Sequence, residues 1–222
     1  MIKVHHLADS RSQRVLWLLE ELGLDYDIIR YERDGQTLLA PPELKAIHPL
    51  GKSPIIEDGG VVVAETGAVV EYLLDTYDPQ GLLRPERGSE AGRDYTYWLH
   101  YAEGSAMSPL LLKLVFSQLP KRAPRLMRPV VKAIEAKANA AFIGPQVKSH
   151  IRWQESALAK TGWFAGSGFS AADIMMSFPL EAAANRAMQR SDYPNIDRFL
   201  SSIHARPAWI QALARGGDYA YG

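Results

Sequence analysis

The hydrophobic periodicity of this chain changes once, near residue 80, and that change constrains the fold more than any other feature. Before it, short β-type runs alternate with helical stripes, and after it only helical stripes occur. Apolar side chains three or four residues apart predict a helix, whereas short runs rich in β-branched residues predict strands. We therefore predict an α/β domain over residues 1–80, a linker rich in proline, glycine and charge over 81–88, and an all-α domain over 89–222.

The first 80 residues predict the element order β-α-β-α-β-β-α. The predicted strands lie at residues 2–7, 26–31, 54–57 and 61–64. The helix between the first two strands makes a βαβ unit, which implies two parallel strands. Asp58-Gly59-Gly60 separates the last two strands and is typical of a β-hairpin turn. A small mixed sheet with helices on both faces is the expected result.

Helical stripes account for the second half of the chain. They lie at about residues 89–118, 124–142, 145–159, 170–185, 195–204 and 207–214. One helix start is especially clear, because Ser170 is followed three residues later by Asp173, the spacing of a capping box. A cap of this kind supports the fold and demands no chemistry.

Composition excludes several classes of function. The chain has 25 basic and 25 acidic residues, so no broad field attracts nucleic acid or an anionic membrane. It has no cysteine, which excludes a protein thiol as nucleophile or metal ligand. The six histidines show no metal-ligand spacing, so we expect no metal site. The first residues lack the apolar core of a signal peptide, so we expect a cytoplasmic protein.

One local exception to the neutral charge is a basic stretch in the helical half. Its cations are Lys121, Arg122, Arg125, Arg128, Lys132 and Lys137. We interpret this stretch as a solvated helix face, because charge runs on helices are usually exposed. We expect neither a nucleic-acid partner nor a membrane partner.

Several short motifs occur in an order that resembles the cytosolic glutathione transferases, most closely the serine-type members shared by bacteria and fungi. The motifs are residues 10–14, 49–54, 65–73, 97–104 and 169–173. The resemblance implies a thioredoxin-like N-terminal domain, an all-helical C-terminal domain, and glutathione as co-substrate without a metal. It also implies a homodimer that conjugates the glutathione thiolate to a small hydrophobic electrophile.

The resemblance implies a glutathione site at the edge of the sheet. A cis bond before Pro54 exposes the backbone of Ser53, where the tripeptide can add as a short strand. Thr66, at a helix start, suits the γ-glutamyl carboxylate, because helix N-termini attract anions. Glu65 can pair with the ligand ammonium and Lys52 with the glycyl carboxylate.

Ser10 is the predicted catalytic residue, because it follows the first strand and matches the serine of serine-type family members. A free thiol has a pKa near 8.5, and lowering it by about two units needs roughly 2.7 kcal/mol of preference for the anion. One hydrogen bond to a charged group contributes about 1.5–3 kcal/mol, which is sufficient. Ser12, two residues later, is a second candidate for this hydrogen bond.

The electrophile is expected between the two domains. Tyr97, Tyr101, Met107 and Leu111 recur along one side of the first long helix, although such a stripe usually belongs to the core. Glutathione-dependent peroxide reduction and isomerisation begin with the same thiolate and stay open as alternatives. A noncatalytic protein-interaction module with this fold is the alternative outside the enzymes.

Overall fold

A computed structural model describes residues 1–35, 37 and 39–221. A four-stranded sheet lies in the N-terminal part. Its strands are β1 (Ile2–Leu7), β2 (Tyr26–Tyr31), β3 (Ile55–Asp58) and β4 (Val61–Ala64), in the spatial order β2-β1-β3-β4. β1 pairs in parallel with β2 and antiparallel with β3, and β3 pairs antiparallel with β4. The predicted βαβ unit and mixed sheet are confirmed.

The β3–β4 hairpin has the predicted two-residue turn. Gly59 and Gly60 have φ angles of 55° and 93°. A tight hairpin turn with two positive φ angles suits glycine, which has no Cβ to clash. Val4 lies opposite Ile28 on one side and Ile56 on the other, and Val4 and Ile56 are both fully buried. Apolar pairs of this kind fix the register of the central strands.

Three helices complete the N-terminal part: α1 (Ser12–Glu21), α2 (Leu44–Ile47) and α3 (Thr66–Tyr77). Every residue from Ser12 to Leu19 is buried, because α1 packs against β1 and also against helices of the second half. Trp17 lies at this junction, 5.0 Å from Trp209 between ring centroids in an edge-to-face contact. The two halves therefore share one hydrophobic core.

The regular elements of the second half are all helices among the residues that the structure describes, which confirms the predicted fold class. Its helices are α4 (Glu90–Tyr101), α5 (Met107–Arg122), α6 (Arg128–Ala138), α7 (Gly144–Thr161), α8 (Ala171–Arg186), α9 (Pro194–His204) and α10 (Pro207–Gly216). Single 3₁₀ turns at Arg125–Met127 and Arg190–Asp192 precede α6 and α9. Residues 78–89, between α3 and α4, form neither helix nor strand, and the exact domain limits stay a prediction.

The predicted break between residues 142 and 145 is wrong. α6 continues into α7 through a π-helical segment, Asn139–Ile143, in which the Gly144 N–H donates to the Asn139 carbonyl five residues earlier. A second π segment, Ala102–Ala106, joins α4 to α5 in the same way. A proline lies shortly after each segment, and such bulges absorb local misfits without ending a helix.

Two absences hold for residues 1–35, 37 and 39–221. No helix there combines the length and apolar character needed to cross a bilayer. The same residues contain no group of three or more histidine, aspartate or glutamate side chains placed to hold a metal ion.

Candidate functional site

A cavity of about 700 Å³ lies where the edge of the sheet meets α5 and α8. Its wall on the sheet side brings together most of the residues expected to bind and activate a thiol ligand: Ser10, Lys52, Ser53, Pro54, Glu65 and Thr66. The opposite wall is mainly apolar and comprises Met107, Leu110, Leu111, Leu114, Phe178 and Ala182. A cavity with a polar and an apolar wall suits a ligand whose two ends differ in the same way.

The two candidate serines occupy different positions. Ser10 lines the cavity, whereas Ser12 is fully buried at the start of α1 and does not line it. The Ser12 hydroxyl lies 2.7 Å from the Ser10 hydroxyl and 2.8 Å from Nδ1 of His6. The Ser12 N–H donates to Ser10 Oγ at 3.2 Å. Of these two hydroxyls, only that of Ser10 can reach a ligand in the cavity.

His6 is held neutral beneath the serines. Burial, together with the charge of nearby Arg30, lowers the pKa of His6 to about 4. A neutral imidazole has one nitrogen that donates and one that accepts. The hydrogen-bond chain from Ser10 through Ser12 therefore ends on an uncharged partner.

The segment before β3 supplies the middle of the polar wall. The Ser53–Pro54 peptide bond is cis, as the resemblance implies. The Ser53 hydroxyl donates to the His5 carbonyl at 2.8 Å, which anchors the segment to β1. Lys52, beside it, is exposed, so its ammonium is available at the cavity rim.

The start of α3 supplies the third part of the polar wall. Glu65 has φ 74° and ψ 126°, a conformation that non-glycine residues rarely adopt. Such strained residues cluster at functional sites. The Val69 N–H donates to the Glu65 carbonyl at 2.9 Å, so Glu65 directly precedes the first helical turn. Thr66 is buried at the first position of α3, where backbone N–H groups point away from the helix.

An ion pair beneath the cavity, between Arg14 and Glu103, was not found from the sequence. Arg14 is fully buried and forms a short ion pair with Glu103, which lies in the π segment Ala102–Ala106. Arg11 Nε is 3.0 Å from the other oxygen of Glu103. Burial alone would raise the pKa of Glu103, but the two guanidinium groups outweigh it and lower that pKa. Residues so far apart in sequence leave no local pattern to find.

Tyr221 also lines the cavity, and it too was not predicted from the sequence. The Ala220 N–H donates to Asp9 Oδ1 at 2.7 Å, and the Asn185 side chain donates to the Ala220 carbonyl at 2.9 Å. These bonds place Tyr221 at the cavity, where its hydroxyl accepts from Arg186 at 2.5 Å. The segment has no apolar periodicity by which it could have been predicted.

Tyr97 and Tyr101, expected in the electrophile pocket, do not line this cavity. The Tyr97 hydroxyl accepts from Trp153 Nε1 on α7 at 3.1 Å. The Tyr101 side chain is buried, and its hydroxyl is hydrogen-bonded to Nδ1 of His150. The π segment between Tyr101 and Met107 shifts the helix phase, so Met107 faces the cavity while the tyrosines face α7.

Comparison with known proteins agrees with this architecture. The family model "Glutathione S-transferase, N-terminal domain" matches residues 1–75, and "Glutathione S-transferase, C-terminal domain" matches residues 119–207. Glutathione S-transferase 1 of Saccharomyces cerevisiae is 35% identical over 99% of this chain and 98% of its own length.

Solved structures match the fold over the whole chain. A glutathione S-transferase from Actinobacillus pleuropneumoniae has a TM-score of 0.85 and 36% identity, and the match covers 100% of this chain and 95% of that one. A sphingomonad glutathione S-transferase, solved in complex with glutathione, has a TM-score of 0.73 and 23% identity over 97% of this chain and 98% of that one. At this lower identity the likeness concerns the fold alone.

Proposed function

Because the chain belongs to the glutathione S-transferase family, and is an enzyme of that family, we propose that it adds the thiolate of bound glutathione to a small hydrophobic electrophile. One observation carries the proposal: Ser10, Ser53 and Thr66, from three separate segments, meet on one wall of a cavity whose other wall is apolar. The glutathione complex of the sphingomonad relative supports glutathione as the co-substrate.

Glutathione is an extended tripeptide with two carboxylates, one ammonium group and a thiol, and each group has a partner in the proposal. The γ-glutamyl carboxylate binds Thr66 at the start of α3, where the helix dipole adds attraction. The ammonium pairs with Glu65, and the glycyl carboxylate with Lys52. The central residue pairs with the backbone of Ser53, as an added strand does at a sheet edge.

Ser10 stabilises the thiolate in this proposal. Its hydroxyl donates to the sulfur, and the nearby start of α1 adds the partial positive charge of a helix N-terminus. A hydrogen bond to a charged group contributes about 1.5–3 kcal/mol. Because one pKa unit corresponds to about 1.36 kcal/mol, this bond alone lowers the thiol pKa by about one to two units. At neutral pH a larger fraction of bound glutathione is then reactive.

The apolar wall holds the electrophile. Met107, Leu110 and Phe178 lie across the cavity from the polar wall, and Met107 and Phe178 come from different helices, α5 and α8. Methionine adapts its shape to irregular partners, which suits a site that accepts several electrophiles. Catalysis then combines proximity of the two substrates with stabilisation of the anion.

The first test is the ultraviolet absorbance of the thiolate of enzyme-bound glutathione as a function of pH. We expect wild type to hold the bound thiol pKa about one to two units below 8.5. Ser10→Ala should raise it back towards 8.5 and lower kcat/KM by about ten- to a hundredfold, which corresponds to the same loss of free energy. Ser12→Ala is the matched control, because Ser12 does not line the cavity, and it should keep most of the depression.

Two other results would change the proposal. A depressed pKa in Ser10→Ala would move the donor to another group while leaving the enzyme a transferase. Absence of any depression in wild type, with no rise in Tm at millimolar glutathione, would favour a noncatalytic interaction module. Assays with hydroperoxides and with isomerisable substrates separate conjugation from the other reactions of the same thiolate.

The proposal includes a homodimer in the cytoplasm. The cytosolic glutathione pool would supply the co-substrate there. The dimer is the assembly that the family resemblance implies. Symmetric pairs are also the commonest soluble homo-oligomers. Sedimentation velocity over a range of protein concentrations tests it, and a monomer at all concentrations would contradict it.

A further inference from the structure

The helical hairpin tip, defined here as residues 121–142, carries exposed apolar and basic side chains together. None of its residues is buried. Leu126 is 90% exposed, Val130 53% and Ile134 55%. Their spacing of four residues places them on one side of the 3₁₀ turn and α6. Large apolar side chains exposed together usually mark an interaction surface.

The charge of the hairpin tip is strongly one-sided although the whole chain is neutral. Its six cations are Lys121, Arg122, Arg125, Arg128, Lys132 and Lys137, and its single acid is Glu135. Within the part of the chain that the structure describes, none of these cations has a carboxylate within ion-pair distance. Five net positive charges therefore face solvent on the same helical segment as the apolar row, and Arg128 and Lys132 lie on the opposite side of α6 from Val130.

We propose that the hairpin tip adsorbs to membranes that contain anionic lipids. A helix with an apolar side and a basic side lies in the plane of the membrane interface, with its apolar side chains among the acyl chains and its cations at the headgroups. The anionic headgroups of the cytoplasmic leaflet have the charge that this surface requires. This binding is at the surface and is compatible with the lack of a membrane-spanning helix among the described residues.

Two other partners, a second hairpin tip and nucleic acid, match this surface less well. A dimer that joined two hairpin tips across its two-fold axis would bring five net positive charges against five. Nucleic acid supplies negative charge but offers nothing to Leu126, Val130 and Ile134. An anionic lipid surface satisfies both the cations and the apolar row. The proposal goes beyond the interpretation of this stretch as a solvated helix face.

Adsorption would concentrate the enzyme where hydrophobic electrophiles dissolve. α5 ends in the hairpin tip, and the same helix carries Leu110 and Leu111 of the apolar wall. This consequence rests on the proposed function, but adsorption itself does not, because it is measured without glutathione or substrate.

Co-sedimentation of the full chain with lipid vesicles tests the proposal. We expect binding to vesicles of equal parts phosphatidylglycerol and phosphatidylcholine, weak binding to phosphatidylcholine alone, and release at high salt. Each basic residue near such a surface is worth a factor of about five, so Arg125→Gln/Arg128→Gln should weaken partitioning about thirtyfold. Leu126→Asn should weaken it about tenfold, because it removes an inserted apolar side chain.

Arg152→Gln/Arg198→Gln is the matched control, since both residues are exposed cations outside the hairpin tip. It should bind vesicles as wild type does. All variants should keep wild-type glutathione conjugation in solution, because none of these residues lines the cavity. Failure of wild type to bind anionic vesicles, or equal losses in control and hairpin variants, would overturn the proposal. Self-association that Leu126→Asn abolishes, without vesicle binding, would assign the surface to a second copy instead.

Discussion

Burial of His6 beneath the site makes the stability of the folded protein depend on pH. Its ring is 4% exposed and its Nδ1 is bonded to Ser12, and burial lowers its pKa from 6.5 to about 4. Between these values the unfolded chain binds more protons than the folded chain. Stability from this residue is therefore fully present above pH 6.5 and is lost as the pH falls towards 4.

His6→Asn removes this titration while keeping a polar group near the position of Nδ1. We expect the free energy of unfolding of wild type, relative to His6→Asn, to fall by roughly 2–3 kcal/mol between neutral pH and pH 4. Urea unfolding of both proteins across this range is the measurement. Asp173, whose pKa burial raises to about 7, acts with opposite sign, but it is common to both proteins and cancels. Parallel profiles for the two proteins would contradict the prediction.

The sequence predicted the lining residues of the polar wall better than those of the apolar wall. Ser10, Ser53 and Thr66 follow turns or begin elements, so their positions depend on local signals that a sequence carries. The sequence did not predict that Ser10 lines the cavity and Ser12 does not, because the two hydroxyls are only two residues apart. Tyr97 and Met107 share a stripe in sequence, but a π segment between them turns their side chains to different surfaces.

Side-chain hydrogen bonds fix the start of α8. The Ser170 N–H donates to Asp173 Oδ2 at 2.8 Å, and the Ser170 hydroxyl donates to the same oxygen at 3.0 Å. The sequence predicted this capping box. It did not predict that the other oxygen of Asp173 accepts the Phe164 N–H at 2.9 Å. Asp173 therefore also ties the loop before α8 to the helix.

Asp173→Ala should destabilise the protein more than Ser170→Ala. Loss of the aspartate leaves two buried backbone N–H groups without an acceptor, at about 1–3 kcal/mol each, so we expect a loss of about 4 kcal/mol. Loss of the serine hydroxyl removes one cap and should cost about 1 kcal/mol. Equilibrium urea unfolding of the two variants gives both values. Equal costs would mean that the Phe164 bond contributes nothing.

Helix continuity was the element-level feature that sequence patterns misjudged. Pro145 predicts a helix start, because its ring fits the first turn and its missing N–H costs nothing there. The structure instead accommodates it just after a π segment, inside a helical stretch that runs from Arg128 to Thr161. Hydrophobic periodicity predicts reliably that a helix is present. A π segment adds one residue to a helical turn, which rotates the following side chains around the helix axis without ending the helix.

Arg14 joins the two halves of the chain through an ion pair and a hydrogen bond rather than through apolar contact. It projects from α1, donates to the Met175 carbonyl of α8 at 2.6 Å, and pairs with Glu103 of the π segment. The partners are 161 and 89 residues away, so no sequence pattern predicts them. A fully buried guanidinium tolerates this position only while its charge is matched.

Glu103→Ala should therefore weaken the whole fold and not only the cavity base. It leaves Arg14 buried and unpaired, and we expect the free energy of unfolding to fall by about 3–5 kcal/mol. Arg11→Ala is the matched control, because Arg11 pairs with the same carboxylate while 39% exposed, and it should cost less than about 1 kcal/mol. Arg14→Met/Glu103→Ala should recover part of the loss by removing the uncompensated charge. If Glu103→Ala costs no more than Arg11→Ala in urea unfolding, the buried pair does not hold the two halves together, and the shared apolar core around Trp17 alone joins them.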